Sequence, residues 1–280
     1  MSFVAIVGCG ALGGSTGHAL ARRDRVPEVR LIDQEGAIAR GKALDMMQSS
    51  PIDGFRARVT ATDSIEAAAG AAVIVLADAA TDSTELGGES GLALLRRIAS
   101  LEGKAPIVCS GATQRDLIAR GVTELRLASS RIIGSAPLAL ESALRALAGI
   151  ALDGSAPEVA LRVVGVPPGS AVVAWEEASR GGEPLSGQLP AHVIAGLSAR
   201  IPGLWPPGPY ALGAAAARIV EALANGTRRR FTCFVAMEAG PVRAAVTAMP
   251  VELEMGAVRR ILQPALTRQE RTMLENALEK

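Results

Sequence analysis

The first half of the chain alternates short apolar runs with stretches of helical periodicity. Continuous apolar runs such as Ala72–Ala77 are typical of strands that are covered on both faces of a sheet. Strands that alternate with helices favour a doubly wound parallel sheet of the α/β class over residues 1–134. The predicted strands are Phe3–Val7, Val29–Asp33, Arg58–Thr62, Ala72–Ala77, Pro106–Ser110 and Arg131–Gly134, and two intervening helices are Ala11–Arg23 and Ile38–Gln48.

The pattern changes after Gly134, where strands and helices no longer alternate regularly. This indicates a second, α+β domain over residues 135–280. Residues 238–241, with Gly and Pro, predict a hairpin turn between two strands, and Thr267 with Glu270 predicts a capping box for a last helix. The predicted helices are Leu138–Leu147, Pro190–Arg200 and Tyr210–Ala224, and the predicted strands are Glu158–Gly165, Ala171–Glu176, Arg230–Met237 and Val242–Met249.

A glycine-rich turn joins the first predicted strand to the first helix. Residues 8–13 fit the pattern G-x-G-x-x-G, and Asp33 follows at the end of the second strand. In this context Gly8 permits a tight turn, Gly10 lets a pyrophosphate approach, and Gly13 allows close helix packing, so a Rossmann-type dinucleotide site is predicted. The predicted cofactor contacts are Gly8, Gly10, Ala11, Leu12, Gly13, Asp33, Ala77 and Ser110.

Asp33 decides between the two nicotinamide cofactors. A carboxylate there accepts hydrogen bonds from ribose hydroxyls and repels a 2′-phosphate, so NAD is predicted rather than NADP. The alternative is a structural glycine turn with a surface aspartate, and it stays open on the sequence alone.

Charge and cysteine content narrow the function classes. The formal charge of +1 gives no basic footprint for nucleic acid or an anionic membrane, and no apolar run reaches membrane-spanning length. The N-terminus lacks the basic region of a signal peptide. Three cysteines, Cys9, Cys109 and Cys233, lie far apart in apolar segments, which predicts reduced core residues in a cytoplasmic protein and no metal site.

Several further segments resemble one enzyme family. They are the stretch from Leu31 to Pro51 with Gly41-Lys42-Ala43-Leu44-Asp45 inside it, Arg131–Gly134, Tyr210–Gly213, Met249–Leu253 with Gly256, and residues 266–278. Together they resemble the lactate/malate dehydrogenase family from end to end. The resemblance implies that family's fold, NAD as cofactor, and a homodimer or tetramer with the Ile38–Gln48 helix at a dimer interface.

The residues that carry the family's chemistry are replaced. By the resemblance, Pro167 stands for the catalytic histidine, Leu144 for the arginine that grips the substrate carboxylate, and Asp82 for the carbonyl-polarising arginine of a mobile loop. Gly88 stands for a second loop arginine, and Ser110-Gly111 for an asparagine–proline step. Glu141 replaces an aspartate conservatively and is the one weak candidate for a catalytic group.

The remaining polar candidates have ordinary structural interpretations. The chain contains two histidines, His18 and His192, and each is expected to be a packed, capping or solvated helix residue. Arg228–Arg230 is expected to be a solvated loop. Glu85 and Glu89 flank the altered loop and are expected to be exposed without a role.

Two hypotheses follow from these replacements. The first is an NAD(H)-binding protein of this family that lacks malate or lactate dehydrogenase activity and serves as a sensor or assembly partner. The second is an NAD-dependent oxidoreductase for an uncharged, apolar carbonyl or alcohol, with Leu144, Val166 and Pro167 lining the pocket and Glu141, a serine or water moving the proton.

Overall fold

The computed structural model describes residues 2–101, 103–238 and 244–278. The strands form where apolar runs can be buried on both sides, as in β1, whose four residues are all buried. The strands are β1 (Val4–Val7), β2 (Glu28–Ile32), β3 (Arg58–Thr62), β4 (Val73–Leu76), β5 (Ile107–Cys109), β6 (Ile132–Gly134), β7 (Val159–Ala160), β8 (Val163–Val166), β9 (Ser170–Val173), β10 (Ser179–Arg180), β11 (Glu183–Pro184), β12 (Arg230–Glu238), β13 (Ala244–Glu254) and β14 (Ala257–Ile261).

Some of the helices begin and end at residues that are typical of helix termini. Helix α5, for example, begins beside Pro137, and α7 ends where Gly226 adopts a left-handed conformation with φ of 64°. The helices are α1 (Ala11–Arg23), α2 (Gly36–Asp53), α3 (Gly88–Leu101), α4 (Arg115–Thr123), α5 (Ala136–Ala151), α6 (Ala191–Ala199), α7 (Pro209–Asn225) and α8 (Arg268–Leu278).

The predicted α/β fold with a parallel sheet is confirmed. Strands β1 to β6 pair in parallel in the order β3-β2-β1-β4-β5-β6, so the strand order reverses beside β1. In open sheets of this kind, ligands bind at the carboxyl ends of the strands where the order reverses. The glycine turn follows β1 and therefore lies at that place.

The sheet does not stop at the end of the parallel half. Strand β12 pairs with β6 through Phe234 and Gly134, and β13, β8 and β9 continue the sheet in antiparallel pairing, with β14 beside β13. A Cβ on Gly134 would lie 2.9 Å from the Phe234 Cβ, so glycine is needed for this junction. A second apolar core forms beyond it, and its members include Leu140, Leu144 and Val163. The division at residue 134 stays a prediction.

Most element predictions in the second half hold. The strand predicted over Ala171–Glu176 is shorter than expected, because β9 ends at Val173. The strand predicted over Glu158–Gly165 is two short strands, β7 and β8, which belong to different sheets. The last two long strands extend further than predicted, to Glu238 and Glu254. Of the predicted hairpin turn, residues 239–241 lie outside the described residues, as do residues 242 and 243 at the start of the predicted second strand.

The predicted capping box at the last helix is confirmed. The Thr267 N–H donates to Glu270 Oε2 at 2.8 Å, and the Glu270 N–H donates to Thr267 Oγ1 at 3.2 Å. Among the helices of the described residues, none is long and apolar enough to cross a bilayer. The same residues hold no cluster of His, Cys, Asp and Glu that could bind a metal ion.

Candidate functional site

The glycine turn has the backbone geometry that its sequence predicts. Gly8 has a φ of 94°, a conformation that glycine adopts readily, and its N–H donates to the Ile32 carbonyl at 2.8 Å. A Cβ on Gly13 would lie 2.0 Å from the Gly8 carbonyl oxygen, which explains why this position is glycine. The turn therefore delivers the first residues of α1 to the carboxyl edge of the sheet.

The free N–H groups at the start of α1 are already bonded to the chain itself. Asp78, which follows β4, accepts from the Leu12 N–H through Oδ2 at 2.9 Å and from the Gly13 N–H through Oδ1 at 2.8 Å. The Gly10 N–H donates to the Asp78 backbone carbonyl at 3.0 Å, and the Ala11 N–H donates to Ser83 Oγ at 3.1 Å. The N–H groups from Gly10 to Gly13 thus all have partners in the loop after β4.

The space above Gly10 is filled by the same loop. A Cβ on Gly10 would lie 2.4 Å from the Asp78 carboxylate carbon and 2.6 Å from the Ala79 carbonyl oxygen. In the sequence prediction, Gly10 keeps this space clear for a pyrophosphate. In the structure, the close approach that glycine permits is made by Asp78 and Ala79.

Asp33 lies where the motif predicts, but its carboxylate oxygens already accept hydrogen bonds from backbone N–H groups of the chain. Its Oδ2 accepts from the Cys9 N–H at 2.7 Å and from the Ala80 N–H at 3.1 Å, and its Oδ1 accepts from the Glu35 N–H at 3.0 Å. Asp33 is only 9% exposed. A cleft of 340 Å³ opens beside it, with Asp63 on its wall and apolar side chains that include Leu94.

A lysine that the sequence prediction did not include holds the turn from the other side. Lys42, on α2, donates from Nζ to the carbonyl oxygens of Cys9 at 2.5 Å and Gly10 at 2.6 Å. Its place in the Gly41–Asp45 segment was the available signal. The Cys9 thiol beneath the turn is buried, and burial, with Asp33 as a second cause, raises its pKa to about 12, so it is not a reactive thiolate.

The loop between β4 and α3 is attached to a second loop, at the end of β5. Glu85 accepts from the N–H groups of Ala112 at 2.8 Å and Thr113 at 2.7 Å, and Gln114 donates to the carbonyl oxygens of Ala77 and Leu86. Glu85 is thus half-buried rather than exposed as expected, and its carboxylate joins the two loops. Glu89 is exposed as expected, although it pairs with Arg120 at 2.8 Å.

Two predicted cofactor contacts lie beneath the surface. Ala77 and Ser110 are each 0% exposed, and the Ser110 hydroxyl donates to the Leu76 carbonyl at 2.8 Å. Both residues lie just after the carboxyl ends of their strands, β4 and β5, but neither presents its side chain to an open cleft.

These contacts decide whether a dinucleotide fits the turn as it stands. A pyrophosphate binds such a turn through the N–H groups at the helix start and through the positive end of the helix dipole. Here those groups are bonded to Asp78 and Ser83, and the Asp78 carboxylate occupies the position that an anion would take. The pyrophosphate of a dinucleotide does not fit beside that carboxylate.

The weak catalytic candidate, Glu141, is buried within the second half of the chain. Its side chain is 2% exposed, pairs with Arg162 at 3.1 Å, and accepts from the Thr232 hydroxyl at 2.5 Å. Burial raises its pKa even though Arg162 and Thr232 both favour the charged form. The adjacent cavity of 350 Å³ is lined by four arginines, which are Arg145, Arg162, Arg218 and Arg230.

The three positions that the resemblance assigns to the family's chemistry lie in different surroundings. Leu144 is 0% exposed within the second apolar core, so it does not line an open pocket. Pro167 is buried at the end of β8, and Asp82 is exposed, with its carboxylate accepting from the Thr84 N–H at 2.8 Å. That hydrogen bond lowers the pKa of Asp82, which stabilises its negative charge.

Neither histidine of the chain lies at these positions. His18 Nε2 is 3.5 Å from Asp53 on the adjacent helix α2, and its side chain is 42% exposed. His192 is exposed at the start of α6. The sequence interpretation of both as structural or solvated residues agrees with these positions. Cys109 and Cys233 are free and buried, as predicted.

A parallel sheet with a glycine turn where the strand order reverses, continued by an antiparallel half, defines a Rossmann-type α/β fold. No protein-family model matches the chain. It is similar over 99% of its length to the L-lactate dehydrogenase A of Rhizopus oryzae, with 27% identity and 90% of that protein covered. It is also similar over 97% of its length to the malate dehydrogenase of Chloroherpeton thalassium, with 25% identity and 94% covered.

Solved structures agree with these relatives in fold. The malate dehydrogenase of Salinibacter ruber has a TM-score of 0.86 at 24% identity, over 99% of this chain and 94% of that one. A lactate dehydrogenase from Cryptosporidium parvum, solved with lactic acid and NAD, has a TM-score of 0.86 at 20% identity, over 99% and 95%. Over nearly its whole length, the chain is therefore similar to lactate and malate dehydrogenases, in fold and at 25–27% identity in sequence.

Proposed function

We propose that this chain has a dehydrogenase fold but does not oxidise malate or lactate. The observation that carries the proposal is the location of its two histidines. His18 lies beside Asp53, and His192 lies exposed on α6, whereas the position expected for the catalytic histidine is the buried Pro167. Proline has no titratable group, so the proton transfer that accompanies hydride transfer has no donor or acceptor there.

The other replacements act against the same substrate class. A positioned general acid or base contributes roughly 10²–10⁴-fold in rate. Leu144, buried in the apolar core, offers no charge to a substrate carboxylate. Asp82 would bring negative charge towards a carbonyl oxygen that gains negative charge in the transition state, which opposes electrostatic stabilisation.

The similarity to named dehydrogenases supports the second candidate, an oxidoreductase for another carbonyl or alcohol. Against it, Glu141 is enclosed by Arg162 and Thr232, and the cavity beside it contains four arginines among its apolar side chains. These contacts favour a structural role for Glu141. The second candidate is therefore an outcome of the test below.

We expect the purified chain to turn over neither oxaloacetate nor pyruvate with NADH, nor malate nor lactate with NAD, near neutral pH. The measurement is NADH absorbance with these four substrates and with a panel of uncharged aldehydes, ketones and alcohols. Turnover of a 2-oxo acid near one per second, the low end of ordinary enzyme rates, would contradict the proposal. Turnover of an uncharged compound alone would establish the second candidate.

NAD is the cofactor that the motif predicts, and the structure contains features that favour its binding and one that opposes it. The glycines and Asp33 are in place, and one relative of the same fold was solved with NAD. Asp78, however, occupies the pyrophosphate position. A dinucleotide therefore requires that Asp78 first leaves the turn.

We also propose a homodimer through α2, as the resemblance implies. Three large apolar side chains of α2 are exposed in the single chain: Ile38 at 39%, Leu44 at 61% and Ile52 at 89%. Leu44→Glu should convert the dimer into a monomer at micromolar concentration, because a charge replaces an apolar contact. Light scattering measures the mass. Met255→Glu, which changes an exposed methionine outside α2, is the control and should stay dimeric. A monomeric wild-type chain would refute the proposal.

A further inference from the structure

We propose that Asp78 is a built-in occupant of the phosphate-binding turn, and that it makes this chain exclude dinucleotides from the turn. The carboxylate supplies both acceptors for the N–H groups of Leu12 and Gly13, at 2.9 and 2.8 Å. Hydrogen bonds to an ionised acceptor are shorter and stronger than neutral ones, and an anion at a helix N-terminus is stabilised by the helix dipole. Asp78 therefore satisfies the N–H donors of the turn as a bound phosphate would.

The proposal concerns binding and does not depend on whether the chain catalyses a reaction. A pyrophosphate that approaches the turn would need the space and the N–H donors that Asp78 already occupies, and its charge would be repelled by the carboxylate. Because Asp78 is only 2% exposed, its carboxylate is held in the turn rather than displayed at the rim. Negative charge in a low-dielectric position repels a second anion more strongly than it would in water.

The loop that carries Asp78 is attached at several points, which limits its withdrawal. Ser83 Oγ accepts from the Ala11 N–H, and the Ala80 N–H donates to Asp33. At the loop's far end, Glu85 accepts from the N–H groups of Ala112 and Thr113. Moving the loop away as a unit would break contacts on both sides at once.

The ribose-binding acid is engaged by the same loop. Asp33 Oδ2 accepts from the N–H groups of both Cys9 in the turn and Ala80 in the loop. The carboxylates of Asp33 and Asp78 thus both accept hydrogen bonds from the chain's own backbone, at the positions where ribose and phosphate contacts were predicted. Substitution of Asp78 should free the N–H groups of Leu12 and Gly13 for a phosphate.

The test is a calorimetric titration of the full chain with NADH. The wild type should show no saturable binding below the millimolar range. Asp78→Ser removes the charge and most of the bulk, and should tighten the dissociation constant by about tenfold or more. Inorganic pyrophosphate should compete with NADH for this variant. Because Asp33 remains, the gain should be larger for NADH than for NADPH.

Two further variants keep the test decisive. Asp82→Asn removes a carboxylate from the same loop that does not touch the turn, so it should bind NADH as weakly as the wild type. Asp78→Asn keeps an acceptor oxygen without the charge, and it serves if Asp78→Ser does not fold, as judged by thermal melting. Micromolar NADH binding by the wild type, or a folded Asp78 variant with no gain, would overturn the proposal.

Discussion

Leu144→Arg is expected to unfold the chain rather than restore a substrate clamp. Leu144 is 0% exposed among Leu140, Val163 and the other side chains of the second core. An unpaired guanidinium in such a place has lost its hydration without gaining a partner. We expect a loss of more than about 4 kcal/mol in the free energy of unfolding, a large part of the total stability of a typical domain.

Urea denaturation followed by circular dichroism measures this effect. Ala146→Arg, which places the same side chain on an exposed position of α5, is the matched control and should change the free energy of unfolding by less than about 0.5 kcal/mol. A Leu144→Arg protein as stable as the wild type would show that this region of α5 opens to solvent, and that an arginine at this position could reach a substrate.

Arg162→Leu is expected to destabilise the fold in a manner that depends on pH. The substitution leaves the Glu141 carboxylate buried with Thr232 as its hydrogen-bonding partner. Breaking a buried ion pair from one side costs about 3–5 kcal/mol, and we expect about 3 here because Arg162 is itself 29% exposed.

The direction of the pH dependence follows from the raised pKa of Glu141. The folded chain binds this proton more tightly than the unfolded chain, whose carboxyl titrates near 4.5. The stability that this group contributes is therefore present at low pH and is lost as the pH rises through the raised folded value. Without Arg162 the pKa rises further, so Arg162→Leu should be better tolerated at pH 5 than at pH 8.

The double variant Glu141→Gln/Arg162→Leu separates the buried charge from simple loss of packing. It removes the ionisable group, so most of the stability at pH 8 should return and the added pH dependence should vanish. If urea denaturation at both pH values gives the same loss for the single and the double variant, then the buried carboxylate is not the cause.

The parallel half of the fold was predictable because most of its strands are continuous apolar runs between turn residues. The glycine turn was equally predictable, since Gly8 and Gly13 have the conformation and the close packing that the motif requires. What the sequence could not show is the occupant of the turn. Asp78 is 65 residues from Gly13 along the chain, and only the pairing of β4 with β1 brings them together.

The predictions for the second half were limited by the same physical cause. In sequence, β7 and β8 look like a single strand. Their separation into two sheets depends on distant partners, because β13 pairs with β8 and β10 pairs with β7. Leu144 was expected in a ligand pocket, because apolar residues in cores and in pockets have the same pattern. Its burial depends on α5 packing against β8 and the segments around it.

In the structure, the phosphate-binding turn is filled by the chain's own carboxylate, that of Asp78. A crystal structure of the wild-type protein soaked with millimolar NADH tests it most directly. We predict that Asp78 remains hydrogen-bonded to the N–H groups of Leu12 and Gly13, with no pyrophosphate in the turn. A pyrophosphate bound to those N–H groups, with Asp78 displaced, would contradict the claim.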